Sequence, residues 1–158
     1  MKSAEAIAEK IEEHVRINSI LEMICEYCEV NRKASPLINF RDALSHYVLY
    51  CDADTDTCKI AEEASIEEHI FRGTKDMCVH ILYKMKQRVS TALCIAILPK
   101  QQQDFRILLH GYKELELNIR GNTESASSRS GGFTSFIDEL ANLAKKTKML
   151  FEEHGIEF

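Results

Sequence analysis

Three side chains that could act together on a phosphate lie close together in the sequence: Arg41, Asp42 and His46. Residues four apart on a helix lie on one side of it, so we expect the Asp42 carboxylate to orient the His46 imidazole and raise its pKa. The Arg41 guanidinium can bind phosphate oxygens through its N–H groups. A helix with these three residues can therefore bind a phosphate and act on it.

The surrounding pattern predicts the helix that carries these residues, over 36–51. Ser35 is a favourable N-cap residue and Pro36 a favourable first residue. Apolar residues then recur at steps of three and four, which predicts a buried helix face made of Leu37, Phe40, Leu44, Val48 and Cys51. Arg41 belongs to this stripe or to its border, where a charge needs a partner.

The whole chain is typical of an all-α protein. It has 158 residues, is 45% hydrophobic and contains only two prolines and six glycines, which suits one helical domain over residues 1–158. Helical periodicity predicts helices over about 3–31, 36–51, 60–98, 104–120 and 134–154, and a flexible loop at about 121–132. The short connection before Pro36 makes the second helix antiparallel to the first. We therefore predict an antiparallel four- to five-helix bundle.

Charge and hydropathy limit the partners. The formal net charge of −5 argues against broad, nonspecific coating of nucleic acid, which needs a basic face. No apolar run approaches the roughly 20 residues of a membrane span, and the acidic start of the chain lacks a signal-peptide core. These features predict a cytoplasmic protein that does not contact a membrane.

Two patterns invite comparison with metal sites. Cys25 and Cys28 have the spacing of half a zinc site, but no further ligands stand at supporting spacing, and free buried thiols explain the pair as well. Acidic residues at 52, 54, 56 and 63 resemble a calcium loop, although Thr57 replaces the glycine of its sharp turn. The alternative for this segment is an acidic turn that caps the next helix. We predict no metal and no cofactor.

The segment Arg41-Asp42-Ala43-Leu44-Ser45-His46 resembles the Arg-x4–6-His signature of the HEPN superfamily, including the polar residue after the arginine. The resemblance spans about 3–98 and the last helix. It implies a helical bundle that dimerises so that the two motifs face each other. Catalytic members of this superfamily are metal-independent endoribonucleases of toxin–antitoxin and phage-defence systems, and other members bind nucleotides or scaffold partner proteins.

The resemblance also implies a role for each residue. His46 would be the acid or base at the RNA 2′-hydroxyl or the leaving oxygen, Arg41 would stabilise charge on the phosphorane, and Asp42 would orient a neighbour. The products would end in a cyclic phosphate, and the partners would be a second copy, an RNA substrate and an antitoxin or other protein. Neighbouring polar and cationic residues are assigned to substrate binding: Ser45, Tyr47, Arg32 and Lys33.

Two alternatives stay open at this point. The chain could be a catalytically inactive HEPN-like interaction or nucleotide-binding module that scaffolds a partner. Arg41 and His46 could also be ordinary residues at the border of the buried core that pair with carboxylates of the first helix such as Glu22 or Glu26. His14, among the inward residues of the first helix, is expected to be a hydrogen-bonded core or border residue.

Overall fold

A computed structural model describes residues 2–121 and 129–158 of the chain. The regular secondary structure in these ranges consists of five helices: α1 (Ala4–Tyr27), α2 (Ser35–Asp52), α3 (Asp56–Ile95), α4 (Pro99–Gly121) and α5 (Arg129–Glu153). The predicted all-α bundle is confirmed. The predicted loop at 121–132 falls mostly on residues 122–128, which lie outside the described ranges; Gly121 ends α4, and α5 begins at Arg129, five residues before the predicted start.

The helix starts follow from local capping. The Ser3 hydroxyl accepts a hydrogen bond from the Ala6 N–H at 3.2 Å, and Thr55 Oγ1 accepts one from the Cys58 N–H at 3.3 Å. The start of α2 differs from the prediction, because Ser35 lies inside the helix and its hydroxyl donates to Asp76 of α3 instead of capping. The fourth helix begins at Pro99 and not at residue 104, since proline fits the first turn of a helix.

The 40-residue helix α3 is the centre of the bundle, and every other helix packs against it. α2 runs antiparallel along its first half, so that Ser35 contacts Asp76 while His46 contacts Glu62. α4 and α5 cover its second half, where Lys86 pairs with Glu116. α1 runs along both halves, from its start near Glu63 to its carboxyl end near Arg88.

Two apolar clusters fill the bundle. The larger one lies between the second half of α1, the second half of α3, α4 and α5, and it encloses a hydrogen bond of 2.8 Å between the Tyr112 hydroxyl and Thr147. The smaller one lies where the first halves of α1 and α3 meet α2, and its buried residues are Ile7, Ile11, Ala43, Tyr50 and Ile66. The Tyr50 hydroxyl also donates to the Lys2 carbonyl at the start of α1, as expected for antiparallel α1 and α2.

The predicted buried face of α2 is wrong except at Phe40, which packs against the smaller cluster. Of the other members of the predicted face, Leu37, Leu44 and Val48 are 67%, 39% and 57% exposed, and Cys51 is exposed as well. We call the exposed apolar residues of this helix the α2 outer face: Leu37, Ile38, Leu44, Val48 and Leu49. The residues that are buried instead are Pro36, Ala43 and Tyr50.

The close approach of α2 to α3 explains why a different face of α2 is buried. A Cβ placed on Gly73 of α3 would lie 3.2 Å from Asn39 Cβ and 3.5 Å from Pro36 Cα. Because Gly73 has no side chain, the backbone of α2 can rest directly on α3 there. Small and polar residues of α2 therefore face α3, and its large aliphatic residues are left outside.

Candidate functional site

Two histidines lie side by side between α2 and α3. The rings of His46 on α2 and His69 on α3 are stacked, with centroids 5.2 Å apart and an interplanar angle of 21°. The antiparallel pairing of the two helices places them together although they are 23 positions apart in the sequence. Both side chains are partly buried.

Each imidazole is held through its Nδ1 atom. His46 Nδ1 lies 2.6 Å from Glu62 Oε2, and His69 Nδ1 lies 3.2 Å from Asn39 Oδ1. Both partners are acceptors, so Nδ1 carries the proton in the neutral form of each ring. Neither Nε2 atom has a hydrogen-bond partner among the described residues, and each can therefore accept or donate a proton.

The amide of Asn39 fixes the orientation of His69. Its Nδ2 donates to the Ser35 carbonyl at 2.9 Å, and a carbonyl can only accept, so the amide oxygen must face His69. Ser35 is held in turn, because its hydroxyl donates to Asp76 Oδ2 at 2.5 Å. This chain of contacts joins α2 to α3 beside the histidine pair.

The contact expected between Asp42 and His46 is not observed. Asp42 Oδ1 instead accepts hydrogen bonds from Arg41 Nε at 3.0 Å and Nη2 at 2.8 Å. These bonds hold the pKa of the Asp42 carboxyl below its usual range, and the charges of Arg41, His69 and His46 lower that pKa further. The carboxylate bonded to His46 is instead Glu62.

Arg41 has a different environment from the one predicted. Its side chain is 73% exposed, and Asp42 is the residue that it bonds. The first-helix carboxylates Glu22 and Glu26 bind Arg32, so they satisfy neither Arg41 nor His46. The alternative in which Arg41 and His46 pair with these carboxylates of α1 is therefore wrong.

The residues assigned to substrate binding are dispersed. The Ser45 hydroxyl donates to the Arg41 carbonyl at 3.1 Å on the exposed side of α2, whereas Tyr47 packs against the smaller apolar cluster. Arg32 and Lys33 border a cavity of about 210 Å³ between α1 and the start of α2. The structure therefore brings Ser45 beside Arg41 but does not gather these four residues around His46.

Sequence reasoning missed Glu62, His69 and Asn39. The pattern around His69 predicts an exposed helix surface with several ion pairs. The acidic residues there do form ion pairs: Glu67 binds Lys2 and Lys10, and Glu68 binds Arg72. His69 is the exception, because it faces α2. The available signal was its helical register with Glu62, seven positions earlier, which places both on one side of α3.

The residues of the two metal-like patterns lie in the core and in the connection between α2 and α3. Cys25 and Cys28 are buried in the larger cluster, and burial raises the pKa of the Cys28 thiol to about 11. In the acidic segment, Asp52 ends α2, Asp56 begins α3 and Glu63 pairs with Lys2, while the side chain that caps α3 is Thr55. Within residues 2–121 and 129–158, no group of three or more His, Cys, Asp or Glu side chains is arranged to hold a metal ion.

A further histidine lies under the site. His14 is buried, with its Nε2 2.9 Å from Asn18 Nδ2 and its Nδ1 3.2 Å from Thr74 Oγ1. Burial lowers its pKa to about 4. The prediction of a hydrogen-bonded core histidine is confirmed.

Comparison with known proteins gives no relatives: no family model, curated protein or solved structure matches the chain. In the described part of the chain, none of the helices combines the length and the apolar character needed to cross a membrane. The function is therefore inferred from the geometry of the histidine site.

Proposed function

We propose that this chain is a HEPN-like, metal-independent endoribonuclease that acts as a dimer, of the kind found in toxin–antitoxin and phage-defence systems. The observation that supports the proposal is the His46 imidazole, whose Nδ1 is held by Glu62 while its Nε2 is available. A carboxylate in this position keeps the imidazole in one tautomer and stabilises the charge that it gains on taking a proton. Such a ring is suited to proton transfer at an RNA 2′-hydroxyl or at the leaving oxygen.

Arg41 is proposed to stabilise the phosphorane. Its guanidinium is largely exposed and is held by one neighbouring carboxylate, Asp42, on the solvent side of α2. Ion pairs this exposed are weak, so a phosphate of bound RNA can replace Asp42 as the partner. Asp42 would hold the guanidinium in place until RNA binds.

The test is cleavage of total RNA by purified protein in the presence of a chelator, with the product ends identified. Cleavage that persists in chelator and leaves cyclic phosphates is expected. A folded dimer that leaves the RNA intact would contradict the proposal.

The proposed dimer buries the α2 outer face, since this face is the exposed apolar part of the helix that carries the motif. We expect Val48→Glu to convert the dimer to monomers, because each interface would then hold two unpaired carboxylates in apolar surroundings. Sedimentation velocity at tens of micromolar measures this change. The matched control is Leu117→Glu on α4, which is 69% exposed and lies outside the proposed interface. A wild-type monomer, or a Val48→Glu dimer, would show that α2 does not mediate dimerisation.

A second candidate is the catalytically inactive interaction module. The same outer face favours it, because exposed apolar residues on one helix can bind an antitoxin or another partner protein without any chemistry. Arg41 would then have only its structural partner, Asp42. The RNA experiment separates the two candidates, since a well-folded dimer without ribonuclease activity supports the module.

A further inference from the structure

Cleavage of RNA to a cyclic phosphate moves two protons. One proton leaves the 2′-hydroxyl as its oxygen attacks phosphorus, and another must reach the departing 5′-oxygen. A single imidazole cannot hold both positions in one step. His69 is the second imidazole beside His46, and its ring lies within stacking distance in the same chain.

We propose that His69 is the second acid–base catalyst and that it acts together with His46 of its own chain. This inference depends on the proposed ribonuclease function and adds to it that each protomer holds a complete proton-transfer pair. The geometry that carries it is the stacking of the two rings, each of which binds an acceptor through Nδ1 while its Nε2 has no hydrogen-bond partner among the described residues. Each Nε2 needs to come within about 3 Å of its oxygen, which is compatible with adjacent rings acting on one phosphodiester.

The acceptors assign the two roles. Glu62 is a carboxylate, so it stabilises the positive charge that His46 gains as a base. Asn39 is a neutral amide that orients His69, and we assign to this ring the transfer of a proton to the leaving oxygen.

The resulting step is balanced. His46 Nε2 takes the 2′-hydroxyl proton, the bond between O2′ and phosphorus forms, and the bond between phosphorus and O5′ breaks. His69 Nε2 gives its proton to O5′. The products are a 2′,3′-cyclic phosphate and a 5′-hydroxyl, and proton exchange with water restores both rings.

A sulfur substitution in the substrate tests the role of His69. A short RNA with sulfur in place of the bridging 5′-oxygen has a leaving group that departs as a thiolate and needs no proton. We expect His69→Ala and His69→Phe to slow cleavage of ordinary RNA about 100-fold and to cleave the sulfur substrate within about tenfold of wild type. His46→Ala should be slow on both substrates. His69→Phe retains a ring beside His46, so a merely structural role for His69 would leave that variant active.

Mixing inactive variants tests whether the pair lies in one chain. A dimer of one His46→Ala chain and one His69→Ala chain contains no complete pair if the two histidines act within a protomer, and it should stay inactive. Restored cleavage after mixing, near-wild-type activity of both His69 variants on ordinary RNA, or no rescue by sulfur would each overturn the inference. Wild type that cleaves neither substrate would instead reject the ribonuclease function itself.

Discussion

Replacing His46 by alanine is expected to slow RNA cleavage about 1,000-fold, within the range usual for loss of a general acid or base. The imidazole is partly exposed, so its removal creates no deep cavity and the variant should retain its helical circular dichroism and melting temperature. The measurement is the initial rate at which cyclic-phosphate ends appear from a short RNA.

Two further variants make this result specific. Glu62→Gln keeps the size of the side chain but removes its charge, so we expect a rate between those of wild type and His46→Ala. His110→Ala is the matched control, because His110 also lies beside a glutamate, Glu114, at 3.3 Å, yet both are exposed on α4 away from the site. Equal losses in His46→Ala and His110→Ala would assign the activity to a contaminant or to nonspecific destabilisation.

The largest effect on stability is expected from the protonation of His14 as the pH falls. Burial lowers the pKa of His14 to about 4, whereas the unfolded chain has an ordinary histidine value near 6.5. Above pH 6.5 the ring is neutral in both states, so its protonation does not change the free energy of unfolding. As the pH falls from 6.5 to 4, the unfolded chain binds a proton that the folded chain does not, so the free energy of unfolding falls by up to about 3 kcal/mol. Below pH 4 both states are protonated and the loss levels off.

Comparison with His14→Gln isolates this contribution from the other titrating groups. Glutamine can still donate and accept hydrogen bonds to Asn18 and Thr74, but it does not titrate. Urea unfolding at pH 7, 5.5 and 4 should show that the advantage of wild type over the variant shrinks as the pH falls. A difference that is constant with pH would show that His14 titrates alike in both states.

The fold was largely predictable, because helical periodicity and capping residues are local signals. The order and approximate extent of the helices follow from them. The exception is the face of α2, where the pattern Leu37, Leu44 and Val48 indicates burial and the structure exposes all three. Periodicity shows that a helix has an apolar side but not that a partner covers it. The close approach of Gly73 to Pro36 and Asn39 joins residues far apart in the sequence, so no local pattern predicts it.

The site was predictable only in part, for a similar reason. His46 and Arg41 were found because their spacing within one helix matches a short signature. The carboxylate that holds His46 is on another helix, and the nearer Asp42 is bound to Arg41. Whether two side chains on different helices meet depends on helix register, which one sequence without relatives does not give. Asn39, Glu62 and His69 therefore required the tertiary structure.

The length of α3 has a consequence for cooperativity. At 40 residues it spans about 60 Å, and it belongs to two apolar clusters of very unequal size. The smaller cluster packs α2 against α1 and the first half of α3, so this end can open in local fluctuations that leave the larger cluster folded. Opening would separate His46 from His69 while α4 and α5 remained packed. RNA or a second copy that binds α2 would suppress such opening, which couples occupancy of the site to the order of the helix that carries it.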